Sequence, residues 1–239
     1  SMESSKIELG YKHSLLIFGT AALLLFLATN TGIEILYNAT GIRKIVLWFI
    51  NGGLFVFLPL FLLSIMFAKQ QVGSSDRKQI MSFLRLKPLT GKEVAATIAG
   101  LIAVFVLSGI LAIVLPRIIP NFTPQPPFLT LNPLAPGEYW ILLCWLPLFF
   151  LNILGEELFW RGLLMPLQEN AMGKNTWWFH ALCWMIFHIP FGINMILMLL
   201  PIFFIQSFLV WKFKNTWIGI IIHGVYNGVG FLAVAFGLV

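Results

Sequence analysis

The sequence predicts an all-α fold, a polytopic bundle of about seven transmembrane helices, on three observations. Of the 239 residues 59% are hydrophobic and only 10% charged, whereas a soluble domain is nearer a quarter charged. The apolar residues gather in continuous runs of roughly twenty, the length at which a helix crosses about 30 Å of hydrocarbon. These runs do not alternate apolar with polar residues. That excludes the closed barrel, the other architecture that satisfies its own backbone in lipid.

The elements follow in order. Ser1 before Met2 reads as the remnant of a cleaved tag. The first apolar run is too long for a cleavable signal and lacks a small-residue cleavage site. Ser14 to about Tyr37 is the first span, interrupted by polar Thr29-Asn30-Thr31, with Glu34 as an interfacial carboxylate near its far end. Ile45 to Ala68 is the second, where Asn51 reads as a hydrogen-bonding contact between helices. Residues 69–93 are the most basic stretch, and Ile80, Met81, Phe83, Leu84 and Leu86 among its cations suit a short helix on the membrane surface, with an ordinary solvated loop as the alternative.

Ala95 to about Leu115 is the third span, so residues 14–115 hold three N-terminal spans. Six further prolines between Pro120 and Pro136 make 116–138 a loop that no helix can cross. Tyr139 to Leu167, about Thr176 to Ile189, Asn194 to Phe213, and Thr216 to Val239 complete the count, the fifth being the shortest. The whole chain reads as one integral membrane domain.

Charge sets the orientation. With the basic 69–93 loop in the cytoplasm, the N-terminus and the turns carrying Lys174, Lys212 and Lys214 share that side. The opposite loops keep only Arg43, Lys44 and Arg117, as the positive-inside rule requires. The net charge of +6 therefore reports orientation and anionic headgroups, not nucleic acid. Cys144 and Cys183 lie inside apolar runs and read as small packed hydrophobes rather than a disulfide.

One stretch of the fourth span breaks the pattern: Gly155-Glu156-Glu157-Leu158-Phe159-Trp160-Arg161-Gly162. Ionisable groups at this depth cost roughly 2.5–3.5 kcal/mol each and are rarely idle. Glu157 and Arg161 are i and i+4 on one helix face and can pair. Glu156 points about 100° away, which leaves it as the carboxylate without an evident local partner. Asn152, one turn earlier, shares its face. Counted from the cytoplasmic helix ends at 1.5 Å per residue, Glu156, His188 and His223 lie roughly 15, 18 and 10 Å deep, with Asn227 one turn beyond His223. Three helices can therefore meet at one polar pocket. A carboxylate partly stripped of water suits a general base, His188 suits the orientation of that water, and His223 with Asn227 suits the stabilisation of an oxyanion.

Glu156-Glu157-x-x-x-Arg161, a His188 four residues after the aromatic Trp184, and His223-x-x-x-Asn227 together resemble the CAAX protease and bacteriocin-processing family of glutamate-type intramembrane proteases. The resemblance covers about Tyr139 to Phe236, a four-helix catalytic core within 139–239. It implies that Glu156 and His188 activate water and that His223 and Asn227 form the oxyanion hole. Glu157 and Arg161 take supporting roles, as do Asn152 and Trp184 on the residue reading above. The family's second motif usually has Phe where Trp184 stands. Ile189 and Pro190 occupy the place of the extra histidines of eukaryotic members, which favours the prokaryotic branch, a prokaryotic cell membrane and substrates other than prenylated ones.

The predicted function is thus an endopeptidase that cuts a membrane-associated peptide near the cytoplasmic face, with no cofactor. Zinc held by Glu, His and Asn is the alternative cofactor, weakened by the absence of a His-Glu-x-x-His helix. A non-catalytic scaffold or immunity protein is the alternative class. The substrate and the oligomeric state stay open.

Overall fold

The computed structural model describes residues 7–239, so the reading of Ser1 and Met2 as a tag remnant lies outside it. Six helical runs are long and apolar enough to cross a membrane. One of them, Trp140–Phe187, has 48 residues, and as a straight rod would measure about 72 Å, over twice the hydrocarbon thickness. It folds back on itself. Trp184 Nε1 lies 2.7 Å from Glu156 Oε2 although 28 residues separate them. The reversal is at Gly173, whose φ of 55° and ψ of −123° suit a residue without a Cβ.

The elements are then α1 (Tyr11–Thr40), α2 (Lys44–Val72), a short α3 (Arg77–Phe83), α4 (Gly91–Ile118), α5 (140–172), α6 (Thr176–Phe187), α7 (Ile193–Phe213) and α8 (Thr216–Ala235). Leaving aside α3, the surface helix expected in the basic stretch, seven helices remain, as the sequence predicts. The fifth, α6, has only 12 residues. A tight turn at Ile189–Phe191 extends its reach, and the Phe191 ring meets Trp48 and Phe128 at the far side.

Local chemistry fixes the helix ends. Gly41 and Gly73 close α1 and α2 with φ of 69° and 67°. Thr90 and Glu93 form a reciprocal capping box at the start of α4. The Asn215 side chain accepts from Trp217 N at the start of α8. The expected loop at Pro116 starts later, because α4 runs through that proline to Ile118. A proline in the last turn costs one backbone donor and breaks nothing beyond it.

The connections sort into two ends. At the basic end Leu9 N donates to Leu167 O, and Thr216 donates from its N to Arg85 O and from Oγ1 to Leu84 O. Glu169 takes a two-pronged Arg85 contact at 3.0 and 2.9 Å and Lys214 at 2.8 Å. At the opposite end Leu134 N donates to Ala235 O, Asn194 Nδ2 donates to Thr123 O, and Arg43 pairs with Glu138. The chain therefore alternates between two faces, as a multi-pass membrane protein must.

Three helices contain wide turns of five-residue pitch: Leu27–Thr31 in α1, Gly53–Phe57 in α2 and Glu157–Leu164 in α5. Such turns rotate the side chains that follow and recur at functional positions. Phe57, the last residue of the α2 turn, lies against Gly155, two residues before the α5 turn, where a Cβ would stand 2.5 Å from its carbonyl oxygen. Only a glycine lets α5 approach α2 so closely. Asn51 Nδ2 donates to Ala28 O, the interhelical contact expected of it. Glu34 is exposed and pairs with Lys44, and both cysteines are free.

Candidate active site

The α5 motif supplies two carboxylates that the helix turns apart, and both are buried. Glu156 accepts from Asn152 Nδ2 at 2.9 Å on Oε1 and from Trp184 Nε1 at 2.7 Å on Oε2. Among the described residues it has no ion pair, as its position on the helix implies, but neither oxygen is idle. The Asn152 contact follows from the shared face. The Trp184 contact comes from α6 and was not readable from spacing.

Glu157 has a different neighbourhood. Its Oε1 accepts from Arg161 Nη1 at 3.1 Å, Gln206 Nε2 at 2.8 Å and His223 Nδ1 at 2.7 Å. The Arg161–Glu157 pair is as the helix spacing requires. Its guanidinium also lies 3.6 Å from the centre of the Trp184 ring, a stacking arrangement that suits a desolvated arginine. His223, expected to serve the oxyanion, hydrogen-bonds directly to Glu157. Gln206 of α7 was missed altogether. An amide near the middle of the apolar sixth span, followed by Ser207, was its only signal.

His188 sits where α6 ends. Its Nδ1 lies 2.8 Å from the carbonyl oxygen of Trp184. A carbonyl only accepts, so Nδ1 carries the proton and Nε2 presents a lone pair. The His188 and His223 rings both meet the Trp184 ring edge-on, at 5.3 and 5.2 Å between centroids. Among the described residues no hydrogen bond joins Glu156 to His188 directly. Trp184 links them, its indole binding the first and its carbonyl the second. Asn227 donates to Asn152 Oδ1 in a longer contact of 3.4 Å.

All eight residues singled out from the sequence thus belong to one connected network, contributed by α5, α6 and α8. His180 does not join it by hydrogen bond. His180 is fully buried, with Nδ1 2.6 Å from Gln168 Oε1, while Gln168 donates to Ser14. Because α5 continues to Met172, past the expected end at Leu167, His180 has a buried partner beside it.

Among the described residues no group of three or more His, Cys, Asp or Glu side chains is arranged to hold a metal ion. Two apolar grooves open on the surface, one of about 510 Å³ between α4, α6 and α7 and one of about 350 Å³ between α2 and α5. Neither is lined by Glu156 or His188.

No curated protein and no solved structure matches the chain. The family model described as type II CAAX prenyl endopeptidase, Rce1-like, matches residues 138–229. That segment runs from the start of α5 past Asn227 and carries all three motifs. Over those residues the membrane-embedded chain is similar to the CAAX prenyl endopeptidases, through the helices that build its polar network.

Proposed function

We propose that the chain is a glutamate-type intramembrane endopeptidase in which Glu156 turns water into the nucleophile. The observation that carries this reading is the convergence of Glu156, His188 and His223 around Trp184, with Asn227 joined to them through Asn152. Glu156 takes a proton from water as the water oxygen bonds to the scissile carbonyl carbon. His188 Nε2, free because Nδ1 is engaged, accepts the other water hydrogen and orients the attack. Negative charge then moves onto the carbonyl oxygen, where Asn227 Nδ2 and His223 donate to it. The Nδ1–H of His223 is held by Glu157, so donation from Nε2 requires the imidazolium form, with Glu157 as countercharge. Collapse breaks the C–N bond, and the proton on Glu156 passes to the leaving amine. No step calls for a metal.

The membrane setting and the family support a peptide substrate anchored in the bilayer. The positive-inside pattern supports a cytoplasmic N-terminus, and Ile189 and Pro190 after His188 support a prokaryotic enzyme that takes substrates other than prenylated ones.

The test uses the full chain in liposomes with two fluorophore–quencher peptides, one ending in a prenylated Cys-aliphatic-aliphatic-X sequence and one unprenylated and membrane-inserted. Glu156→Gln keeps the shape and removes the base, and turnover is expected to fall about 10²–10⁴-fold while the protein still folds. Turnover at the wild-type rate in a folded variant overturns the proposal.

A further inference from the structure

Glu156 is held at both oxygens by donors from two different helices, and one of those donors belongs to a side chain that the usual motif lacks. We infer that Asn152 and Trp184 are positioning residues: they clamp the Glu156 carboxylate in one orientation, and Asn152 also turns the amide of Asn227 donor-first. The inference deepens the proposed function and rests on Glu156 being the base.

The argument is one of hydrogen-bond polarity. An ionised carboxylate only accepts and an indole N–H only donates, so the 2.7 Å contact from Trp184 to Oε2 has one direction. On Oε1, at 2.9 Å, Asn152 must present its NH₂. Its carbonyl oxygen is then what remains to face Asn227, at 3.4 Å, and an amide oxygen only accepts. Asn227 must therefore turn its own NH₂ inward, the group an oxyanion requires. A carboxylate has about four lone-pair positions, and the clamp occupies one on each oxygen, fixing where the remaining ones point.

Phenylalanine at 184 fills the ring's place against Arg161, His188 and His223 but cannot hold Oε2. In this chain the clamp is thus an addition to the aromatic, made by one nitrogen atom. It fastens α5 to α6, and the Asn152–Asn227 contact fastens α5 to α8, so base and oxyanion donor share one reference frame. Catalytic groups need such fixing to within a fraction of an ångström.

The test uses Trp184→Phe and Asn152→Leu in the full chain in liposomes. Infrared difference spectra between each protein and the same protein carrying Glu156→Gln isolate the stretching bands of this one carboxylate, without any substrate. The bands are expected to shift in both variants relative to wild type while the thermal midpoints stay close. With the peptide that wild type cleaves, kcat is expected to fall about tenfold or more at unchanged KM. Bands at the wild-type frequency in both variants overturn the clamp and leave Glu156 as base untouched. Wild-type turnover in Glu156→Gln, with shifted bands, instead removes the base and with it the positioning role.

Discussion

Arg161 Nη1 lies 3.1 Å from Glu157 Oε1, and neither side chain is exposed at all. The pair is a support on which His223 rests, because the same carboxylate oxygen receives the His223 Nδ1–H. Removing one member of a buried pair leaves the other uncompensated, at a cost of about 3–5 kcal/mol. Arg161→Ala is therefore expected to lower the unfolding free energy by that order, with activity lost in consequence. Gln206→Leu removes one of three donors and should cost less, about 1.5–3 kcal/mol. Chemical unfolding in detergent measures both. Wild-type stability with abolished turnover would instead place Arg161 among the groups that act on the substrate.

The glycines of the site make a second, sharper prediction. Gly155→Ala puts a methyl 2.5 Å from a backbone oxygen of α2, which no side-chain rotation relieves. Gly219→Ala drives its methyl into Glu157 Oε2, the carboxylate oxygen that has no hydrogen-bond partner. Each is expected to cost about 1–3 kcal/mol. Gly109→Ala in α4 is the control, since nothing stands within 4 Å of its Cβ position. Thermal midpoints of the three should separate two losses from one neutral change, and a neutral Gly155→Ala would mean that α2 and α5 stand further apart.

At the basic end, Glu169 gathers Arg85 and Lys214. Both of these residues adopt φ near 55°, at 57° and 53°, a region non-glycine residues rarely occupy. The ion pairs offset that strain but are partly open to solvent, so their net worth is about 1 kcal/mol. Glu169→Gln should lower the thermal midpoint modestly at low salt, and 0.5 M salt, which shortens the Debye length to about 4 Å, should narrow the gap. A gap that salt does not change would show that packing, not charge, is what Glu169 supplies.

Much of this architecture was legible because lipid imposes a simple code. Length and apolarity give the spans, charge gives their alternation, and the helical period sets Glu157 over Arg161 and Glu156 beside Asn152. What the code omits is which faces of different helices meet. Counting depths from helix ends brought His223 near the glutamates but left open which of the two it would touch. Gln206 was hidden for the same reason, as a lone amide in an apolar span whose partner lies 49 residues away. The reversal at Gly173 was readable from its neighbours, whereas the wide turn at Glu157–Leu164 was not, since no residue type demands one.

The approach of Phe57 to Gly155 has a consequence for how the molecule is divided. The recurrent motifs all lie in the C-terminal half, yet the wall against which the motif glycine rests belongs to the second helix. Leu84 and Arg85, also outside the matched segment, anchor the start of the last helix through Thr216. The N-terminal half is thus a mould in which the half that carries the polar network is cast, and the two are not separable pieces.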